Sequence, residues 1–345
     1  MSKGCGGLVN MGATCYANAV IQALRHCEKL AWIFSENGHE TLFKKDAPLF
    51  RQKQQMCVKS LANVVNLLNK AEKQQVVRPA EFWQTIHRVV DDTGYEHFKR
   101  KAPHDAHEFL TFLIDTIHES TAVAVDMRVL ADEGTLAASA LKVWKRTFEG
   151  QYSPFVDQFY GLYHNRVTCS ACSAVSHSWE PFTSLKAAVP ESGEPPTLMS
   201  MLEAEFKAET IDGYSCDKCA PTRTQATRTI TLWRLPQYLA IVLKRFTAMG
   251  QKIHTKMASM PLTHISLESL FSSESPERFG KTDYTLFSVV DHHGGAGGGH
   301  YTTQACNKAD STWHLYDDES VVPIAAPMFG ESTYVLMFQR RVATL

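Results

Sequence analysis

The chain has 345 residues, 44% of them apolar, which is enough to bury a large core and to form two or three subdomains. Lys and Arg number 35 against 36 Asp and Glu, a near-neutral balance that argues against wholesale binding of nucleic acid or an anionic membrane but permits a local charged groove. The longest clean apolar run, Tyr238 to Leu243, is far too short for a bilayer span; Met1 to Cys5 begins no secretory leader, so the cytosol or nucleus is the expected compartment.

The first informative stretch is Gly6-Gly7-Leu8-Val9-Asn10-Met11-Gly12-Ala13-Thr14-Cys15-Tyr16-Ala17-Asn18, a glycine-rich loop running into a helix. Thr14 is placed to cap that helix, and Ala17, Val20, Ile21, Leu24 and Cys27 recur at helical spacing, so Cys15 falls in the first turn. Unpaired backbone N–H groups and the helix dipole there can lower a thiol from about 8.5 to roughly 3.5–7.5 and supply thiolate at neutral pH. Asn10 offers an amide donor for charge developing beside the sulfur. A buried structural cysteine is the competing reading of this segment taken alone.

Helical patterns follow at Met56–Leu68 and, introduced by Pro79, at Ala80–Val90. In Asp105-Ala106-His107-Glu108-Phe109-Leu110, Asp105 and Glu108 form a capping box, and Ala106, Phe109, Leu110, Leu113, Ile114 and Ile117 make one apolar face. Ser120 to Gly150 is Ala-rich and reads as further helix. From Phe155 onward the chain turns to β-rich runs at Phe159–Cys169, Thr227–Trp233, Tyr238–Phe246, Tyr284–Asp291, Tyr301–Ala305, Trp313–Asp317 and Tyr334–Arg340. Pro190–Pro196 and Ser272–Gly280 read as loops.

Nine cysteines include two matched CxxC pairs, Cys169/Cys172 and Cys216/Cys219, each at the end of a β-like run. Four thiolates on two knuckles suit one closed tetrahedral zinc site better than unrelated free thiols or a thioredoxin-type redox pair. Further on, Gly294 to Gly299 forms a glycine-rich gate before His300, where small residues permit unusual backbone angles and leave room for a ligand. Tyr301–Ala305 and Trp313–Asp317 should pair as a hairpin through Asn307–Ser311; with the turn near Ala309, His300 falls opposite Asp317 or Asp318. That supplies a base for a thiol proton and a carboxylate to orient it. His107, His292, His293 and His314 read by default as structural or surface residues.

These parts in this order resemble the catalytic domain of the ubiquitin-specific proteases. Gly7 to Asn18 is similar to the family's cysteine box, Gly298-Gly299-His300-Tyr301-Thr302 with Trp313 to Asp318 to its histidine box, and Asp105–Leu110, Leu243–Phe246 and Tyr334–Leu336 to further signatures. The resemblance implies an α+β, papain-like fold: a helical thumb over about 1–150, zinc-bearing β fingers with part of the palm over 155–250, and a β palm over 251–345. It implies thiol-dependent hydrolysis after the C-terminal glycine of ubiquitin, with Cys15 as nucleophile, His300 as base, Asp317 as orienting acid, Asn10 as oxyanion donor and Asp318 in support. Asp105 and Glu108 would meet the arginines of ubiquitin's tail, and Gly298, Gly299 and Tyr301 would line its path. Cys169, Cys172, Cys216 and Cys219 would hold one structural Zn2+. The partners implied are ubiquitin and ubiquitinated proteins, without nucleic acid or membrane, and the expected state is a monomer.

Two departures stand out: Pro103-His104 precedes Asp105 where the family usually has glutamine, and Met11 stands where glutamine or leucine is common. Alternatives are a scaffold that has lost catalysis, an enzyme for a ubiquitin-like modifier, and an unrelated Cys-His-Asp acyltransferase. The last gives no reason for the paired knuckles.

Overall fold

The computed structural model describes residues 4–341 except 35–37, 73, 92, 262–263, 280–281, 296–297 and 308–309. The leader reading at Met1–Lys3, the end of the predicted loop at Gly280, the centre of the glycine gate at Ala296 and Gly297, and the predicted turn centre at Lys308 and Ala309 lie outside the described residues.

The N-terminal part is helical. After β1 (Gly7–Leu8) come α1 (Cys15–Leu24), α2 (Glu28–Phe34), α3 (Gly38–Leu42) and α4 (Leu49–Lys70), then β2 (Val76–Val77), α5 (Ala80–Val89), α6 (Ala106–Thr121), α7 (Leu136–Phe148) and α8 (Val156–Phe159). In α4 the residues Val58, Leu61, Val65 and Leu68 are buried at helical spacing. α6 starts where Asp105 accepts the Glu108 N–H at 2.8 Å, but only half of the expected box forms, because the Glu108 carboxylate turns to His97 at 3.2 Å. All ten residues of α1 are buried, since α1 lies between α6 and the main sheet.

The remaining elements are β3 (Gly161–Cys169), β4 (Val175–Phe182), β5 (Ser184–Ala188), α9 (Leu198–Glu205), β6 (Glu209–Tyr214), β7 (Thr224–Arg234), β8 (Tyr238–Lys244), β9 (Ile265–Ser266), β10 (Asp283–Gly295), β11 (Gly298–Asn307), β12 (Thr312–Asp317), β13 (Ser320–Ile324) and β14 (Thr333–Arg340). They build a main sheet in the order β13-β12-β11-β10-β14-β8-β5 and a separate four-stranded sheet, β4-β3-β7-β6. Among the described strands, only β5 joins the main sheet parallel, beside β8.

Both faces of the main sheet's centre are buried, and period-two alternation divides its side chains between two cores. Tyr238, Ala240 and Val242 of β8, with Val335 and Met337 of β14, face the helices. Leu239, Ile241, Leu243, Leu336 and Phe338 face the opposite way, against Leu198 and Leu202 of α9. The apolar cover of the four-stranded sheet is concentrated near its root, where Leu162 and Trp233 pack on Trp144 and Phe148 of α7; β4 and β6 are partly or fully exposed along most of their length. Among the described residues no helix is long and apolar enough to cross a membrane.

Candidate active site

The loop before α1 is fixed from both sides. Gly7 takes the Gln75 carbonyl at 2.9 Å and Leu8 takes the Asp318 carbonyl at 2.7 Å. A Cβ at Gly7 would come within 2.3 Å of the Glu319 carbonyl oxygen, so only glycine allows the loop to lie against the end of β12. Asn10 then folds the chain back: its Oδ1 accepts from the N–H groups of Gly12 at 3.0 Å and Thr14 at 3.1 Å. Thr14 does not cap α1 as the sequence predicts, because its hydroxyl accepts from Met11 N–H at 2.9 Å instead. Side-chain bonds within the loop compete with capping and win.

Cys15 emerges at the start of α1 with 5% exposure. Its thiol is not depressed, contrary to expectation. Burial pushes its pKa up from the ordinary thiol value, and the Asp318 carboxylate adds to the rise, against backbone hydrogen bonds from Tyr301, Tyr16 and Cys15 itself. Tyr301, whose backbone reaches the thiol, follows His300 on β11, the strand against which α1 packs.

His300 Nε2 lies 2.5 Å from Asp317 Oδ1, but the ladder that produces this pair differs from the predicted one. Thr303 pairs with Tyr316 and Gln304 with Leu315, which places Thr302, not His300, opposite Asp317. His300 and Asp317 are diagonal neighbours on one face, two residues offset, a distance that an imidazole and a carboxylate can bridge. The observed ladder, which begins with Asn307 opposite Thr312, is one to two residues out of register with the predicted one. Asp318 follows the strand end with φ +46° and points elsewhere. Its Oδ2 accepts from Asn10 Nδ2 and its Oδ1 from Asn18 Nδ2, each at 2.8 Å. The two adjacent acids are thus divided: one faces the imidazole, the other clamps amides before and after Cys15.

Asn18 is the residue that the sequence reading left without a role. Its signal was present: a polar side chain one turn beyond Cys15 on a helix that is otherwise mostly apolar.

Beside this centre runs a cleft of about 320 Å³ lined by Asp105, His292, Gly298, Gly299, Tyr301 and Phe246, among others. The predicted gate is the tip of the β10–β11 hairpin, where Gly294 pairs with Gly299 and Gly295 with Gly298. A Cβ on Gly299 would meet the His293 carbonyl at 2.3 Å and the His292 ring at 2.4 Å, so the glycine keeps this wall thin. Asp105 accepts from Tyr334 OH at 2.5 Å, and the Tyr301 ring packs tilted against His292 at 4.6 Å. His292 is buried, and desolvation with the nearby Lys252 charge lowers its pKa to about 4, leaving it neutral. Glu108, engaged by His97, does not line the cleft. His104, in place of the usual glutamine, packs edge-on against Tyr16 at 5.3 Å. Of the other histidines, His107 meets Ser184 Oγ at 2.9 Å and His314 is buried, so neither is a simple surface residue.

At the far end of the four-stranded sheet the two knuckles meet. Cys169 and Cys219 sulfurs lie 3.9 Å apart, Cys172 and Cys216 sulfurs 3.6 Å apart, and all four fall within 4.8 Å of one another. A tetrahedral ion with Zn–S bonds of about 2.3 Å holds its sulfurs about 3.8 Å apart, so this quartet can take zinc.

Comparison with known proteins bears on this arrangement. The family described as "Ubiquitin carboxyl-terminal hydrolase" matches residues 6–338. "Ubiquitin carboxyl-terminal hydrolase Usp2" of Drosophila melanogaster is 26% identical over 346 residues, covering 98% of this chain and 35% of its own length. "Ubiquitin carboxyl-terminal hydrolase 2" of Homo sapiens is 27% identical over 349 residues, covering 98% and 55%. The chain therefore spans about half or less of these two relatives. Among solved structures, the SAGA Ubp8/Sgf11/Sus1/Sgf73 deubiquitinating module bound to ubiquitin aldehyde superposes with a TM-score of 0.72 at 20% identity, over 98% of this chain and 70% of that one. The same module bound to monoubiquitin gives 0.73. These two establish likeness of fold.

Proposed function

The chain belongs to the ubiquitin carboxyl-terminal hydrolase family, and from that premise we propose that it is a cysteine-dependent deubiquitinase, cleaving the isopeptide or peptide bond after the C-terminal glycine of ubiquitin through an acyl-enzyme thioester. The observation that carries this reading is the 2.5 Å contact between His300 Nε2 and Asp317 Oδ1 on the strand pair beside Cys15. With Nε2–H directed to Asp317, the His300 Nδ1 lone pair is left to take the Cys15 proton. The thiolate attacks the glycine carbonyl, and Nδ1–H of the imidazolium passes its proton to the departing amine. A water then attacks the thioester and gives one proton to Nδ1; on collapse the imidazolium returns that proton to the departing Cys15 sulfur, and the glycine carboxylic acid loses its own proton to solvent.

Asn10 Nδ2 carries two protons, of which one is held by Asp318; the other serves the oxyanion of each tetrahedral intermediate together with the Cys15 backbone N–H. Asp318 holds this amide in place and is a positioning residue. The cleft wall of Gly298, Gly299 and Tyr301 takes the extended tail, with Asp105 facing a basic side chain. Glu108 fills the same role at the rim once it exchanges His97 for the substrate. In this reading residues 1–150 form the thumb, 155–250 the fingers with part of the palm, and 251–345 the palm. The cysteine quartet holds one structural Zn2+ that stabilises the fingers and takes no part in the chemistry.

The test is hydrolysis of a fluorogenic amide of the ubiquitin C-terminus. Cys15→Ala should remove it by at least about 10⁴-fold while the folded state persists by circular dichroism, and a ubiquitin vinyl-type probe should label Cys15 alone. Undiminished turnover in the variant would sink the nucleophile assignment; preference for a ubiquitin-like modifier in a competition assay would redirect the substrate.

A further inference from the structure

Outside the site and the cysteine quartet, one further group of metal-ligating side chains converges among the described residues: Cys5, Asp310 and His314, whose ligand atoms all lie within 4.8 Å of one another. Cys5 precedes β1, Asp310 lies on the β11–β12 connection and His314 is in β12. Cys5 is 3% exposed and His314 6%, while Asp310 reaches the solvent edge.

We propose that these three residues form a second zinc site, with Cys5 Sγ, His314 Nε2 and an Asp310 carboxylate oxygen as ligands and a water in the fourth position. The geometry fits an ion. Bonds of about 2.3 Å to sulfur and 2.0–2.1 Å to nitrogen at a tetrahedral angle put those two atoms about 3.5 Å apart, and Cys5 Sγ lies 3.6 Å from His314 Nε2. The spacing matches that in the quartet, where sulfurs stand 3.6 and 3.9 Å apart.

The surroundings orient each ligand as metal sites require. His314 Nδ1 faces the Thr312 carbonyl at 3.3 Å, so the proton sits on Nδ1 and the Nε2 lone pair points at the cluster. Asp310 Oδ1 accepts from Thr312 N–H at 3.0 Å and from Thr312 Oγ1 at 2.5 Å, which fixes the carboxylate beside the cluster. Asn307 Nδ2 approaches Cys5 Sγ at 3.7 Å, a donor that favours thiolate. On binding, the Cys5 proton leaves to solvent and the ion takes neutral imidazole, thiolate and carboxylate; one thiolate, one imidazole and one carboxylate with an open position suit Zn2+ over the hard cations.

The consequence is mechanical. Cys5 leads into the loop that carries Cys15, and His314 lies three residues before Asp317 on the same strand. An ion here would tie the segment before the nucleophile to the strand that bears the orienting acid.

The experiment measures zinc per chain by elemental analysis on the full chain, loaded with Zn2+ and desalted, as wild type, His314→Gln, Asp310→Asn and Cys172→Ser. His314→Gln should hold one equivalent fewer than wild type. Asp310→Asn, at the solvent edge where folding is least at risk, should weaken this ion by about 10- to 100-fold against a competing chelator. In wild type, but not in Asp310→Asn, Zn2+ should also protect Cys5 from iodoacetamide. Cys172→Ser should lose only the quartet's ion, so the two sites are counted separately whatever the quartet holds. Zinc content and chelator competition unchanged in both His314→Gln and Asp310→Asn would overturn the proposal and leave a thiol–imidazole hydrogen bond.

Discussion

Cys15 stands on a helix whose ten residues are all buried, and the groups that act on its thiol come from α1 itself, from β11 and from the end of β12. Cys172 stands exposed at the tip of a sheet that has little apolar cover, and it has its first partner, Cys169, three residues away. The first thiol is held by the tertiary core and the second by local knuckles that only an ion would join. The difference teaches where each is vulnerable. The centre depends on hydrogen bonds between distant segments embedded in a packed interior, whereas the sheet tip buries too little apolar surface to hold itself and would depend on metal binding, which is worth about 10–16 kcal/mol in isolated zinc-finger peptides.

The most severe way to break this contrast lies in the paired acids. Asp317→Asn should lower kcat by about 10³- to 10⁴-fold by disturbing the imidazole tautomer. Asp318→Ala, which removes both the Asn10 and Asn18 anchors, should lower it by about 10²-fold with KM for ubiquitin amide nearly unchanged. Equal effects of the two would mean that the acids act as one unit and not as the divided pair seen here.

A smaller effect on turnover is expected at the other end of the molecule. Cys172→Ser or prolonged chelation should remove hydrogen-exchange protection from the distal parts of β3, β4, β6 and β7, while α1 and α6 keep theirs. Alkylation of Cys15 by iodoacetamide should proceed at the same rate as in the intact protein. Loss of protection in α1 as well would show that the two regions are one cooperative unit.

The mildest test separates burial from ion pairing at the thiol. Because burial raises the Cys15 pKa, the free enzyme should hold it as neutral thiol at pH 7, and its alkylation rate should climb with pH beyond about 8.5, where ordinary thiols level off. The sign follows from the shift: the protonated form is favoured, so thiolate appears later, not earlier, as pH rises. A plateau already reached at neutral pH would indicate that His300 pairs with Cys15 before substrate arrives.

Features carried by neighbouring residues were legible in the chain. The repeat of apolar residues in α4 and α6, the Asp105 cap, the two CxxC knuckles and the glycine-rich approach to Cys15 each lie within a few residues, where periodicity and turn chemistry act directly. β4, β6 and β13 were not anticipated: β6 and β13 are largely solvated, and the half-buried face of β4 is made by His177, Trp179 and Pro181, a histidine and a proline that do not read as an apolar alternation. β5 has only five residues, and its parallel place beside β8 depends on a long crossover through α9.

The sequence by itself determined which residue types were available for the chemistry, the start of α6 at Asp105 and the four cysteines that converge at the sheet tip, since these rest on local spacing. Only the tertiary structure decided the diagonal register that joins His300 to Asp317, the turn of Asp318 toward Asn10 and Asn18, the raised Cys15 thiol and the meeting of Cys5 with His314. Each of these depends on a register or a burial set by packing between segments far apart in the chain. A one-residue slip in a strand exchanges its faces, and a thiol's pKa depends on what covers it.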